Sequence, residues 1–302
     1  PRDVFETRTG LGVYDSKQWR FYSLNNSDGF DEYPSFSTSP VLDPGKSFFL
    51  ILKSGAVIKT GPGSIVKADS VNKAGIQLRL GNNFVGNPFN FNVPIDSLSL
   101  SNGDLFTGRT WEFVGVGGTN GGWSLNPTTL KAWEGIVVRT TSAAVMKFKI
   151  TDRPGSAPPS IAKQQEGSDT SAGWRVQIRA TRTDNGLADI ENILGVEPAA
   201  STGIDAFDAF EPPLFGQKTL SLSFPSPEAE LTHDFRPAND EGYIWDFKIQ
   251  TPDEKAHVLL SFDGISGVAL PVRLLDLDTK MPHTLNDASR IEVNTNRGER
   301  HF

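Results

Sequence analysis

Three carboxylates in one short run are the residues best spaced to do chemistry. In Gly203-Ile-Asp-Ala-Phe-Asp-Ala-Phe-Glu-Pro-Pro213 the acids Asp205, Asp208 and Glu211 recur at intervals of three. On an irregular loop such hard oxygen donors can converge on Ca²⁺, which takes six to eight oxygens, backbone carbonyls included. The spacing is not that of an EF-hand loop. The competing reading is a solvated loop anchored by Phe207 and Phe210, with its acids bonded to local amides or to Arg236. A carboxylate pair for glycoside hydrolysis would need two acids set apart across a cleft, which sequence does not establish.

Aromatic side chains are the second chemical feature. Of the six tryptophans, Trp174 and Trp245 fall in register with apolar neighbours and read as core. Trp111 and Trp123 flank a Gly-rich run at Gly115–Gly122 and are the candidates for stacking on sugar rings. The four histidines, His233, His257, His283 and His301, are scattered. His233 and Asp234 are adjacent, and adjacent strand residues face opposite sides, so they make a poor dyad. There is no Gly-x-Ser-x-Gly elbow, no Walker loop and no His-Glu-x-x-His. An enzyme is therefore not expected.

The rest of the sequence bounds the setting. There are 302 residues and no cysteine, which excludes disulfides, thiolate metal sites and thiol catalysis. With 36 acids against 29 bases the formal net charge is −7, and no basic run exceeds two residues, so nucleic acid is not an expected partner. No stretch approaches the ~18 apolar residues of a membrane-spanning helix. Pro1 is followed by no basic-plus-apolar export signal, as in an excised piece or a processed chain. Asn25-Asn-Ser27 is a formal glycosylation sequon, a weak and common signal.

Alternation with period two dictates the elements that must position these residues. Trp174, Val176, Ile178 and Ala180 share one face, with Arg175, Gln177 and Arg179 on the other. Tyr243, Trp245, Phe247 and Ile249 alternate with Asp246 and Lys248. Leu220, Leu222 and Phe224 alternate with Ser221 and Ser223, and Met146, Phe148 and Ile150 with Lys147 and Lys149. Deeper strands are expected at 47–52, 76–80 and 136–138. Turn chemistry separates the runs at Asp43-Pro-Gly45, Gly61-Pro-Gly63, Gly117–Gly122 and Asp263-Gly264. A short helix is expected around Leu187–Leu194. Gly86–Pro94 reads as a corner in which Phe89 and Phe91 plug the core. The fold class is all-β: two β-sandwich-like domains, 1–152 and 173–302, joined by a Pro/Ser/Gly-rich linker at 153–172. The C-terminal Arg300-His-Phe302 reads as an unfinished strand, which could pair with a like subunit.

Several short motifs carry a resemblance. Leu11-Gly-Val-Tyr-Asp15, Trp19-Arg-Phe-Tyr22, Asp43-Pro-Gly-Lys46, Gly86-Asn-Pro-Phe-Asn90 and Trp133-Glu-Gly-Ile136 resemble a recurring β module of large secreted multidomain proteins of Bacteroidetes- and Chlorobi-type bacteria. Trp174-Arg-Val-Gln177, Asn192-Ile-Leu-Gly195, Asp234-Phe-Arg-Pro237 and Trp245-Asp-Phe247 resemble the module that follows it, often ahead of a C-terminal sorting domain. The resemblance implies export and a place outside the cell or on its surface. The expected function is a non-catalytic structural or interaction module of a surface protein or extracellular fibre, with neighbouring domains or like subunits as partners. The alternative is a carbohydrate-binding module, with glycans as partners and Ca²⁺ as its stabilising ion. A hydrolase ranks last.

Overall fold

The computed structural model describes residues 3–8, 10–36, 43–59, 75–114, 122–149, 173–213, 220–239 and 242–302. Its fold is nearly all β, as the alternation requires. The exceptions among the described residues are a wide helical turn at Asp3–Arg8 and two single turns of 3₁₀ helix, Ile95–Ser97 and Ile265–Gly267. None is long and apolar enough to cross a membrane. The chain forms two compact units, Pro1–Phe113 with Asn126–Ile161, and Val114–Leu125 with Ala162–Phe302. The linker expected at 153–172, the turn at Gly61-Pro-Gly63 and the Gly-rich residues 117–121 lie outside the described residues.

The strands up to residue 149 are β1 (Trp19–Leu24), β2 (Phe30–Glu32), β3 (Phe49–Leu52), β4 (Ile76–Leu78), β5 (Gly81–Gly86), β6 (Val93–Pro94), β7 (Leu98–Leu100), β8 (Thr110–Val114), β9 (Gly122–Leu125), β10 (Thr129–Leu130), β11 (Gly135–Thr140) and β12 (Ala144–Phe148). They form sheets of order β2-β1-β3, β10-β6, β5-β11-β8-β9 and β4-β12-β7. Val85, Ile136 and Val138 from the third sheet and Leu78, Leu98, Met146 and Phe148 from the fourth share one apolar core. A smaller core gathers Phe5, Trp19 and Phe21 with Tyr33, Phe36 and Phe48. There Tyr33 stacks on Trp19 at 5.6 Å and Phe48 on Phe21 at 5.2 Å. Arg20 grips Glu32 through two N–H bonds of 2.6 and 2.5 Å, and its guanidinium holds the Glu32 carboxyl below its ordinary range.

The hairpin between β1 and β2 turns on Asn25. Its Oδ1 accepts the N–H groups of Ser27 and Gly29 at 2.9 and 3.0 Å, and its Nδ2 donates to Asp31 at 2.9 Å. The nitrogen that a glycan would occupy is thus already committed to the turn. Asn25→Ala is expected to cost about 1–2 kcal/mol, because two backbone donors lose their acceptor. Thermal unfolding of the purified variant measures this.

The remaining strands are β13 (Trp174–Arg182), β14 (Ala188–Val196), β15 (Ala209–Phe210), β16 (Ser221–Pro225), β17 (Glu230–Arg236), β18 (Lys248–Gln250), β19 (His257–Asp263), β20 (Arg273–Asp276), β21 (Met281–Thr284), β22 (Arg290–Asn294) and β23 (Glu299–His301). They pair in the order β22-β19-β13-β14-β17-β16-β18-β23, with β15 also on β17 and β20–β21 as a separate hairpin. Among the described residues of this unit only β14 and β17 run parallel. Val176, Ile178, Leu222, Phe224, Ile249, Val258, Leu260 and Phe262 fill the core.

Four expectations change here. The helix expected at Leu187–Leu194 is strand β14, which pairs with β13 across a hairpin whose Gly186 takes φ +72°. The Asp184-Asn-Gly186 lead-in is hairpin chemistry, and β-branched Ile190, Ile193 and Val196 suit a strand. The run at 243–249 is strand only from Lys248; ahead of it Tyr243 and Trp245 stack on each other at 5.3 Å. Phe91, expected in the core, is exposed and stacks on buried Phe89 at 5.0 Å.

The fourth change is at the C-terminus. Strand β23 pairs with β18 inside its own unit, and Leu277 N donates to His301 O at 3.0 Å along its other edge. Phe302 is 4% exposed and stacks on Phe247 at 4.7 Å, so it is a core residue and not an overhang for a like subunit.

Candidate functional site

The three acids do not meet. Asp205 accepts Ser201 N and Phe207 N at 2.5 and 2.8 Å, which folds the loop on itself. Asp208 is buried and accepts Asp205 N and Phe235 N at 2.9 and 2.8 Å, tying the loop to β17. Burial pushes the Asp208 carboxyl up to about 6 against the pull of those two donors. Glu211 lies past the end of β15 and turns away from both, taking a bond from Ser221 Oγ at 2.8 Å. Among the described residues no group of three or more His, Asp or Glu side chains is placed to hold a metal ion.

Glu211 belongs instead to a polar seam behind β16. Ser221 and Ser223, which alternation puts on a wet face, are buried there. Asp189, on β14, accepts Leu222 N at 2.7 Å, one residue from the Ser221 hydroxyl that serves Glu211. Glu230 accepts Ser223 Oγ at 2.9 Å and pairs with Lys248 at 2.8 Å. Buried Asn192 neighbours Asp189 and pulls its carboxyl down against the effect of burial. Burial pushes Asp189 up to about 6, and burial together with the Asp189 charge raises Glu211 well above its ordinary value. His233, on the neighbouring strand β17, is held down to about 4 by burial and is neutral near pH 7.

A polar hollow of about 480 Å³ lies in the first unit, with Asn25, Asp31, Lys46, Arg79, Asn82 and Asn83 among its lining. Most of these groups serve one another. Arg79 bonds Asp28 and Asn25 O, Asn82 bonds Asp28, and Asn83 bonds Arg79 O and Gly81 O.

The stacking candidates are also placed differently from expectation. Trp111 is 2% exposed, because it lies on β8 opposite Val137 with strands on both sides of it. It cannot present a face. Trp123, on β9, is half-buried. Trp174 and Trp245 pack edge to face at 5.5 Å, and Arg236 covers Trp245 at 4.8 Å, so that aromatic face is filled from within.

Trp133, in contrast, is 84% exposed. It sits third in the turn Lys131–Glu134, closed by Glu134 N donating to Lys131 O at 3.2 Å, with φ +69°. That position of a turn ordinarily takes Gly or Asn, and a bulky residue there costs about 1–3 kcal/mol. The turn is braced on the loop that carries Phe91: Ala132 N donates to Asn92 Oδ1 at 2.9 Å, and Asn87 Nδ2 donates to Phe91 O and Leu130 O at 2.8 and 2.9 Å. Asn87 N also donates to Glu134 O at 3.2 Å. Below it, paired Gly86 and Gly135 leave room for the Lys46-Ser47 segment: an added Cβ would meet Lys46 O at 2.5 Å or Ser47 Oγ at 1.9 Å. Lys131 lies between Glu112 and Glu134 at 3.2 and 3.4 Å.

Searches against family models, curated proteins and solved structures find no match for this chain. The assignment of a role therefore rests on this geometry. Trp133 could have been found in the sequence: Lys131-Ala-Trp-Glu-Gly135 gives it charged and small neighbours, and it falls outside the apolar alternation that begins at Ile136.

Proposed function

We propose that this chain is a non-catalytic interaction module, built as two β-sandwich-like domains and working outside the cell as part of a surface protein or extracellular fibre. The observation that carries this reading is Trp133. Its indole is held in water, at a backbone conformation that disfavours any bulky side chain, by a turn closed by its own hydrogen bond and tied to the neighbouring loop by three more, from Asn87 N, Asn87 Nδ2 and Ala132 N. Folding gains nothing from such an arrangement, since an exposed indole buries no surface and the left-handed turn costs energy. A contact made after folding accounts for it. Aromatic anchors presented rigidly are what interaction surfaces use, because little conformational entropy remains to be lost on binding.

Replacing Trp133 with glycine separates this role from a structural one. Glycine suits the turn, so the melting temperature of Trp133→Gly is expected to equal or exceed that of the native chain. Retention is then measured on immobilised bacterial cell-envelope fragments, insoluble polysaccharides and fibrous proteins. At least one surface is expected to hold the native chain and to release the variant at least tenfold more readily. Equal retention of both proteins on every surface, or none by either, overturns the reading.

A further inference from the structure

We infer that the Trp133 turn and the adjoining Phe91 loop form a binding site for a neutral saccharide, with a pyranose ring lying on the indole; this rests on the reading of Trp133 as a contact residue. Three observations select that ligand class.

The first is size. The apolar part of the patch is one indole at 84% exposure and one phenyl at 43%. Even fully exposed, two aromatic side chains offer about 300–500 Å². A sugar ring needs only one such face.

The second is the polar rim. Asn90 and Asn92 flank Phe91 in its loop, Lys131 and Glu134 begin and end the Trp133 turn, and all four are exposed. Asn92 spends its Oδ1 on Ala132 N, and its amide N–H groups can donate. Together these side chains offer donors and acceptors in the mixture that ring hydroxyls require. Lys131 is balanced by Glu112 and Glu134, so no concentrated charge favours an anionic or cationic ligand.

The third is availability. A second aromatic group among the described residues, Trp174 with Tyr243 and Trp245, packs its rings on one another and has the Arg236 guanidinium over Trp245. A saccharide presents an apolar C–H face and a hydroxyl edge, and the Trp133–Phe91 patch presents the complement of both.

The test uses the full chain and defined neutral oligosaccharides of glucose, mannose, xylose and N-acetylglucosamine. Binding is read by isothermal titration and by tryptophan fluorescence. At least one series is expected to bind the native chain. Trp133→Gly is expected to weaken that binding at least tenfold without lowering the melting temperature, and Phe91→Ala about threefold or more with a modest lowering, because its ring stacks on buried Phe89. The envelope surfaces are assayed in parallel before and after periodate, which cleaves the vicinal diols of sugars. Retention that depends on Trp133 and is abolished by periodate supports the saccharide site. Retention that depends on Trp133 and survives periodate, with no oligosaccharide bound at millimolar concentration, overturns the saccharide and leaves the interaction module standing. Oligosaccharide binding that Trp133→Gly leaves unchanged places the ligand elsewhere and overturns the site. Retention that ignores Trp133 on every surface overturns both readings.

Discussion

Replacing Phe302 with alanine is expected to destabilise the second unit by roughly 3–5 kcal/mol, the range for truncating a buried phenylalanine. The ring is almost fully enclosed and stacks on Phe247, with ring planes 14° apart. Its backbone is tied there as well: Phe302 N donates to Phe247 O at 2.9 Å, and Phe247 N to Phe302 O at 3.2 Å. Just before it, Arg300 is nearly buried and bonded to Asp276, whose carboxyl also takes the Thr279 hydroxyl at 2.7 Å. Removing the ring opens a cavity beside Phe247 and loosens the strand that carries Arg300. Urea unfolding followed by near-UV circular dichroism measures the loss. Phe302→Leu, which keeps most of the volume, is expected to lose far less. A loss below about 1 kcal/mol for alanine would show that β23 is held by its backbone alone. A loss that varied with protein concentration would point to pairing between chains.

Asp189→Asn is expected to act in the opposite direction, stabilising the second unit by on the order of 2 kcal/mol at pH 8 and by almost nothing at pH 4. Burial raises Asp189 from 3.8 to about 6 in the folded chain. An acid whose folded value lies above its unfolded one binds its proton more tightly when folded. The ionised form therefore costs stability above about pH 6, and the cost fades as pH falls toward 4. Removing the charge also relieves Glu211, which the Asp189 carboxylate raises. Asparagine can keep the bond from Leu222 N. His233 runs the other way: held down to about 4 by burial, it withdraws stability as pH falls from about 6.5 to 4. The difference between the two proteins, taken by thermal unfolding from pH 4 to 8, cancels the His233 contribution. A variant less stable than the native chain at pH 8 would mean that the ionised carboxylate supports β16 more than its burial costs.

The β class was legible because alternation survives wherever one face meets the core, as at Val176, Ile178 and Ala180. Strand β14 was not, because Leu187–Leu194 lacks clean alternation and its identity comes from pairing with β13 and β17. Ser221 and Ser223 misled because polarity was read as exposure, while the fold covers them with carboxylates from β17 and from the end of β15. For the acids, spacing of three said nothing of direction: Asp208 and Glu211 point into different surroundings. Trp111 and Trp123 were chosen for their nearness to a Gly-rich turn. Trp133 is set apart in the sequence by its charged and small neighbours, but the left-handed φ of its turn is not written there, because that position ordinarily takes Gly or Asn.

The strand order of the second unit has a kinetic consequence. Only hairpins such as β13–β14, β16–β17 and β20–β21 join neighbours in sequence. The pairing of β13 with β19 brings Gln177 to Asp263, and that of β18 with β23 brings Gln250 to Glu299. Closing such long loops comes before the contacts that reward it, which places folding of comparable β domains in the range of about milliseconds to seconds. The second unit should therefore gain its β13–β19 pairing late, and stopped-flow refolding should report it through the environment of Trp174 on β13.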